Sequence, residues 1–272
     1  MIALDIQQPE ILRLGIFMLL LVVLLLLQYW FPRRSLSRSR WRGRVNNLVL
    51  VGMGNGLIAL SIGLAALAQG GEGFGLLQVL GLDGLPLILI GIVLLDCAIY
   101  WQHRLFHTVP LLWRIHRVHH SDAEFEVTTA VRFHPFELLL SYLIKVALVL
   151  LLGVNAITVV AFEIVLFSTA LFSHSNLHLP PGVSKAVRLL IVTPDMHRIH
   201  HSQIHKEHNS NYGFSFSIWD RIFASYTREP QQGHEKMEIG LSWLADGNLM
   251  QLLAMPFLTV DKKWTKRAKI RL

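Results

Sequence analysis

Apolar residues fall in five long blocks separated by short polar stretches: Leu14 to Trp30, Leu48 to Ala68, Leu85 to Trp101, Phe136 to Leu152 and Ala156 to Phe172. Each approaches the roughly 20 residues that a helix needs to cross a hydrocarbon core, so the pattern predicts five membrane helices. Only Gly153, Val154 and Asn155 part the last two blocks, which predicts a tight helical hairpin. Ionisable side chains at membrane depth are costly unless paired or functional. Lys145 and Glu163 stand equally far from Val154 on the two arms, and an ion pair across the hairpin is expected. The first block lacks a basic start and a small-residue cleavage site, so it reads as a retained helix and not as a secretory signal.

Composition agrees with a membrane class. Of 272 residues, 53% are hydrophobic and 16% charged, against about 25% charged in soluble domains. No low-complexity linker divides the chain, and residues 1–272 are expected to form one integral membrane domain. The net charge of +7 gathers in two runs beside apolar blocks. Arg33, Arg34, Arg38, Arg40, Arg42 and Arg44 follow the first; Lys262, Lys263, Lys266, Arg267, Lys269 and Arg271 close the chain. Such runs mark a cytosolic face touching anionic lipid, and without a recognition module nucleic acid is not an expected partner. Residues 1–12 carry Asp5 and Glu10 with no Lys or Arg, and residues 69–84 carry only Glu72 and Asp83. The N-terminus is therefore expected outside, with residues 101–135 and everything after 173 on the cytosolic side. A bacterial inner membrane is expected ahead of the endoplasmic reticulum.

Those two cytosolic segments hold nearly all the candidate chemistry. The one cysteine, Cys97, has no partner for a disulfide or a thiolate site, so a metal would be held by nitrogen or oxygen. Thirteen of the 14 histidines lie between 103 and 208, clustered as His103 and His107; His116, His119 and His120; His174 and His178; and His197, His200 and His201. On helices these offsets put imidazoles on one face. The pattern is doubled, HRLFH then HRVHH and HSNLH then HRIHH, which points to two metal ions. Imidazole suits zinc, copper, nickel and iron alike. The HExxH of zinc hydrolases and the ExxH of soluble di-iron bundles are both missing from the sequence. An oxygen-activating iron pair is the reading with a matching chemistry; a zinc-dependent membrane hydrolase and a metal transporter are the alternatives, the latter expected to place ligands at mid-span. Asp96, two helical turns before His103, is a candidate acceptor for a ligand's free ring N–H. His134, ahead of Pro135, is expected to position the site. Trp101 and Trp113 fit interfacial anchors.

The segments Asp96 to His120, DCAIYWQHRLFHTVPLLWRIHRVHH, and Thr193 to Tyr226, TPDMHRIHHSQIHKEHNSNYGFSFSIWDRIFASY, resemble the fatty acid hydroxylase and sterol desaturase superfamily. The resemblance implies an all-α polytopic membrane bundle of about five helices with a cytosolic helical cap, and a catalytic region over roughly residues 85–230. It further implies an iron-dependent, O2-using monooxygenase or desaturase acting on a fatty acid, sterol, carotenoid or related lipid. By that match His103, His107, His116, His119, His120, His174, His178, His197, His200 and His201 would bind two iron ions, cycling between Fe2+ and Fe3+. His205 and His208 would be supporting groups or surface residues; Asn209, Asn211 and Tyr212 would order the site loop; Trp219, Asp220 and Arg221 would close the cap. No cytochrome or ferredoxin-like segment is recognisable, so electrons are expected from a separate NAD(P)H-linked protein. IFASY departs from the usual end of the last motif, a packing variation.

Overall fold

A computed structural model describes residues 9–36, 40–59, 75–242 and 247–258, and among these the chain is helical, with isolated bridges and no strand. The helices used below are α1 (Pro9–Trp30), α2 (Trp41–Ala59), α3 (Gly84–Thr108), α4 (Pro110–His116), α5 (Pro135–Leu152), α6 (Ala156–Ser173), α7 (Pro181–Val187), α8 (Pro194–His200) and α9 (Ile218–Ile222). Four of them, α1, α3, α5 and α6, are long and apolar enough to cross a membrane, which makes this a multi-pass membrane protein. The fifth expected crossing, Leu48 to Ala68, is not confirmed. Its first part is α2, which carries Arg42, Arg44, Asn46, Asn47 and Asn55, and its remainder lies outside the described residues. The carboxy-terminal basic run lies outside them as well.

The hairpin forms as the sequence requires. Gly153 ends α5 in the left-handed region at φ 68°, and the Asn155 side chain accepts the Thr158 N–H at 2.9 Å to start α6. Leu95, Ile99, Tyr142, Val149 and Phe162 interlock α3, α5 and α6. A Cβ at Gly91 would fall 2.7 Å from Thr158 Cγ2, so glycine is what permits α3 and α6 to approach there. Outward-facing Leu14, Leu19, Leu89 and Leu151 are exposed, which suits lipid chains and not water.

Inside this apolar bundle Glu163 accepts Lys145 Nζ across the hairpin at 3.1 Å, as expected, and is also paired with Arg13 of α1. One acid thus ties three helices together. At the other end α1 and α2 are fastened to the cap by polar contacts. Gln28 donates to Glu126 at 2.8 Å and accepts the Val127 and Asn176 N–H groups; Arg44 reaches Glu126 at 3.2 Å, and Asn47 reaches Thr128 at 3.0 Å. The 3-10 turn Val127–Val131 that receives them begins with a reciprocal Glu126 and Thr129 capping box.

Glu163→Gln, measured by thermal unfolding in lipid nanodiscs, should destabilise the bundle by roughly 3 kcal/mol because it leaves two cations without their acid. Lys145→Met should cost less, since Arg13 still neutralises Glu163; equal losses would contradict the three-helix tie.

Candidate metal centre

His103 and His107 sit one turn apart near the end of α3, and Pro110 at the first turn of α4 starts a new helix that turns the chain back. α4 ends at His116, and a 3-10 turn, His119–Ser121, carries His119 and His120. α8 opens with Thr193, whose hydroxyl accepts the Met196 N–H, and with Pro194; it then presents His197 and His200, with His201 at its end. His174 caps the end of α6.

These pieces bring nine imidazoles into two adjoining groups: His103, His107, His116, His120 and His200 in one, and His119, His174, His197 and His201 in the other. Within each group one ring nitrogen per histidine lies within 4.8 Å of all the others. The two sequence repeats interleave, because HRVHH and HRIHH each supply residues to both groups. All nine except the half-buried His107 are buried.

The hydrogen bonds behind the rings fix which nitrogen faces inward. Backbone carbonyls only accept, so His103 Nδ1 donates to Tyr212 O at 2.8 Å, His200 Nδ1 to Ser210 O at 2.7 Å and His174 Nδ1 to Ala170 O at 2.7 Å. In the neutral ring Nε2 is then a bare lone pair. Burial pushes the His116 and His174 imidazoles down to about 3. Burial, with neighbouring imidazoles adding to it, also holds His119, His120, His197, His200 and His201 well below the ordinary histidine range. The rings are therefore neutral, the state in which they can be ligands.

His103 and His200 consequently point lone pairs at each other across 3.0 Å, an arrangement that repels unless a cation lies beside both. Similar Nε2 separations join His197 to His174 at 3.0 Å, His174 to His119 at 3.1 Å and His116 to His120 at 3.2 Å. Adjacent nitrogen ligands on one ion, each about 2.1 Å from it, would be roughly 3.0–3.4 Å apart. Both ring nitrogens of His107 and of His201 are buried without a hydrogen-bond partner. The donor set fits metal ions at both groups.

Three expected assignments change. His178 is exposed and stands outside both groups. The HSNLH spacing would align two histidines only on a helix, but α6 ends at Ser173 and the chain leaves as extended backbone, with the His178 N–H donating to Phe31 O at 2.8 Å. His208 takes its place beside the first group, its ring centroid 4.6 Å from that of His120 and 4.7 Å from that of His107, with burial pushing it down to about 3. Asp96 accepts no histidine N–H; its carboxylate takes the Ser215 and Phe216 backbone N–H groups and Trp219 Nε1–H. Trp113 is half-buried against His107 and His208, a wall of the site in place of an interfacial anchor, whereas Trp101 is 42% exposed.

The other supporting residues act through backbone. His134 caps α5, its Nδ1 accepting the Phe136 N–H at 3.1 Å, while Nε2 meets Leu253 O at 3.3 Å. Asn211, at φ 53°, bonds Met196 O, Thr227 O and the Thr227 N–H. Asp220 accepts the Tyr212 and Gly213 N–H groups, which fixes the carbonyl that orients His103. His205 is exposed, and the Asn209 side chain donates to its carbonyl. Sequence reasoning missed Glu137, whose Oε1 lies 2.6 Å from His116 Nδ1, both side chains buried. A carboxylate in the first turn of a largely apolar helix, just after His134 and Pro135, was its only signal.

Comparison with known proteins follows the same residues. The family model for fatty acid hydroxylase matches residues 88–225. The ornithine lipid hydroxylase OlsE of Rhizobium tropici is 30% identical over 184 residues, 65% of this chain and 52% of that protein. The alkylglycerol monooxygenase of Homo sapiens is 28% identical over 147 residues, 54% of this chain and 31% of that protein. A very-long-chain aldehyde decarbonylase of Oryza sativa, GL1-5, is 28% identical over 145 residues, 50% of this chain and 22% of that protein. The chain spans about half the length of the first of these relatives and less of the others. No solved structure matches.

Metal analysis separates the assignments. His119→Ala and His200→Ala, one from each group, should each lose metal, His208→Ala should weaken binding, and His178→Ala should match the parent chain. Glu137→Ala should lower affinity by about 10- to 100-fold, as loss of a hydrogen-bonded partner behind a ligand does; unchanged affinity would show that the contact is packing alone.

Proposed function

The chain belongs to the fatty acid hydroxylase family, and from that premise we propose that it is an O2-dependent membrane oxidoreductase that hydroxylates or desaturates a lipid at two histidine-held irons. The observation that carries the reading is the double group of neutral, buried imidazoles at the ends of apolar helices. Neither group includes a carboxylate, and the sequence has no HExxH to supply the general base of a zinc hydrolase. The ligands lie at helix ends, not at mid-span, which disfavours transport.

Hydroxylation consumes one O2, two electrons and two protons, places one oxygen in a C–H bond and releases the other as water. Desaturation draws on the same inputs, removes two hydrogens and releases two waters. Two irons held by His103, His107, His116, His120 and His200, with His208 beside them, and by His119, His174, His197 and His201 would supply the redox chemistry that couples O2 reduction to attack on carbon. A separate NAD(P)H-linked protein would deliver the electrons.

The chain's own residues supply orientation and dryness. Tyr212 O, Ser210 O, Ala170 O and Glu137 aim four Nε2 atoms inward. Phe133 stacks on His119 at 4.5 Å, Phe125 meets His201 at 4.9 Å and Trp113 meets His107 at 5.2 Å. Such walls keep water from reactive species and suit an apolar chain arriving from between the helices. Arg33, Arg34 and Arg44 are bonded into the cap beside the centre, which supports a cytosolic active site and an N-terminus outside. The relatives' names, an ornithine lipid hydroxylase and an alkylglycerol monooxygenase, favour a substrate with a polar head and an apolar chain.

Purified protein in nanodiscs, given a membrane lipid extract, an NADPH-linked reductase and heavy-isotope O2, should yield a lipid that carries the heavy oxygen or one new double bond. His119→Ala and His200→Ala should abolish it. Product formed without O2, or labelled only from water, would overturn the oxidase.

A further inference from the structure

Between the metal centre and the bundle lies a clasp of irregular backbone. Ile191 and Phe216 form an isolated antiparallel bridge, with the Val192 N–H donating to Ser215 O at 3.0 Å and the Ser217 N–H to Leu190 O at 3.1 Å. Its depth can be read from two helices. Asp96 accepts the Ser215 N–H at 3.2 Å, the Phe216 N–H at 3.1 Å and Trp219 Nε1–H at 2.8 Å. Asp96 is the midpoint of α3, a helix of 25 residues and so roughly 37 Å long, against a hydrocarbon core of about 30 Å. A midpoint of such a helix falls inside any core that the helix spans. Independently, Ser215 Oγ meets Thr169 Oγ1 of α6 at 2.9 Å, one turn before that helix ends. By helical rise Thr169 lies about 6 Å and Asp96 about 18 Å from the metal-centre ends of α6 and α3, so both anchors put the clasp inside the ends of the spans.

Irregular backbone survives at such depth only when its polar groups are met by protein. Here they are: Asp96 takes two N–H groups, the bridge takes two more, and Asp220 takes those of Tyr212 and Gly213. The same segments expose Leu189 at 63%, Leu190 at 72%, Ile218 at 42% and Ile222 at 58%, while the guanidinium groups of the half-buried Arg188 and Arg221 are turned onto Ser184 Oγ, Ser217 O and Arg188 O. Phe223, next to Ile222, packs on Trp101 of α3 with ring centroids 4.8 Å apart, and Trp101 and Leu105 are also exposed. A cluster of this kind facing water would be unusual.

We infer that residues 188–192 and 214–222 are a lipid-inserted wedge, with Leu189, Leu190, Ile218 and Ile222 seated among the acyl chains of the leaflet on the metal-centre side. The partner is the bilayer itself, and Asp96 is the group that allows the inserted backbone to go without water. The inference rests on α3 and α6 crossing the membrane and is independent of which metal the centre holds, so its failure and that of the oxidase reading are separable.

The test uses the full chain in phosphatidylcholine and phosphatidylglycerol nanodiscs, with Cys97→Ala as background. Single cysteines replace Leu190 or Ile222, with Leu89 as a lipid-facing control and Lys236 as an exposed cap control. Nitroxide labels are read by power saturation against O2 and against a water-soluble nickel chelate. Labels at 190 and 222 should follow Leu89, with collisions with O2 exceeding those with nickel several-fold, while Lys236 shows the reverse. Nickel access at 190 or 222 equal to that at Lys236 would overturn the insertion. Metal content checks the fold of each variant, and one that has lost metal is replaced by the neighbouring site, Leu189 or Ile218.

Discussion

Two bare imidazole lone pairs held 3.0 Å apart, those of His103 and His200, are tolerable only beside a cation, and the cap's hydrogen bonding is organised around holding them there. Tyr212 O fixes one ring and Ser210 O the other. Each carbonyl is in turn held by the loop that Asn211 and Asp220 lock. Burial keeps the rings neutral, so the repulsion is not relieved by taking up protons. His174, fixed in the same way by Ala170 O, turns its bare Nε2 towards His119 and His197. Stability of the cap and readiness to bind metal are therefore one requirement.

That requirement explains where the centre sits. Imidazoles needing polar partners cannot be stranded in hydrocarbon, and they occupy the seam where α3, α5 and α6 meet the cap. Glu137 and Asp96 show two ways of placing a carboxylate at this seam: the first holds a ligand ring, the second satisfies inserted backbone. In the bundle Glu163 does a third job, gathering Lys145 and Arg13. None of the three is a spare charge.

Much of this was legible in the sequence because membrane helices and metal-binding histidines both leave local patterns. The spans α1, α3, α5 and α6, the Gly153 to Asn155 hairpin and the pair of Lys145 with Glu163 follow from block length and matching depth. Nine of the ten expected histidines converge because their spacing is realised on helices and one 3-10 turn. His178 misled because its spacing assumed a helix that ends at Ser173, and His208 escaped because nothing local shows that the loop after α8 folds back over His107 and His120. Glu137 and the task of Asp96 depend on contacts between segments far apart in the chain, which spacing does not encode.

Mössbauer spectroscopy of iron-57-grown protein, purified in lipid nanodiscs and accompanied by elemental analysis, tests the central claim most directly. Two irons per chain, magnetically coupled to each other, are the predicted result; zinc retained by protein from iron-replete cells, or a single isolated ion, would contradict it.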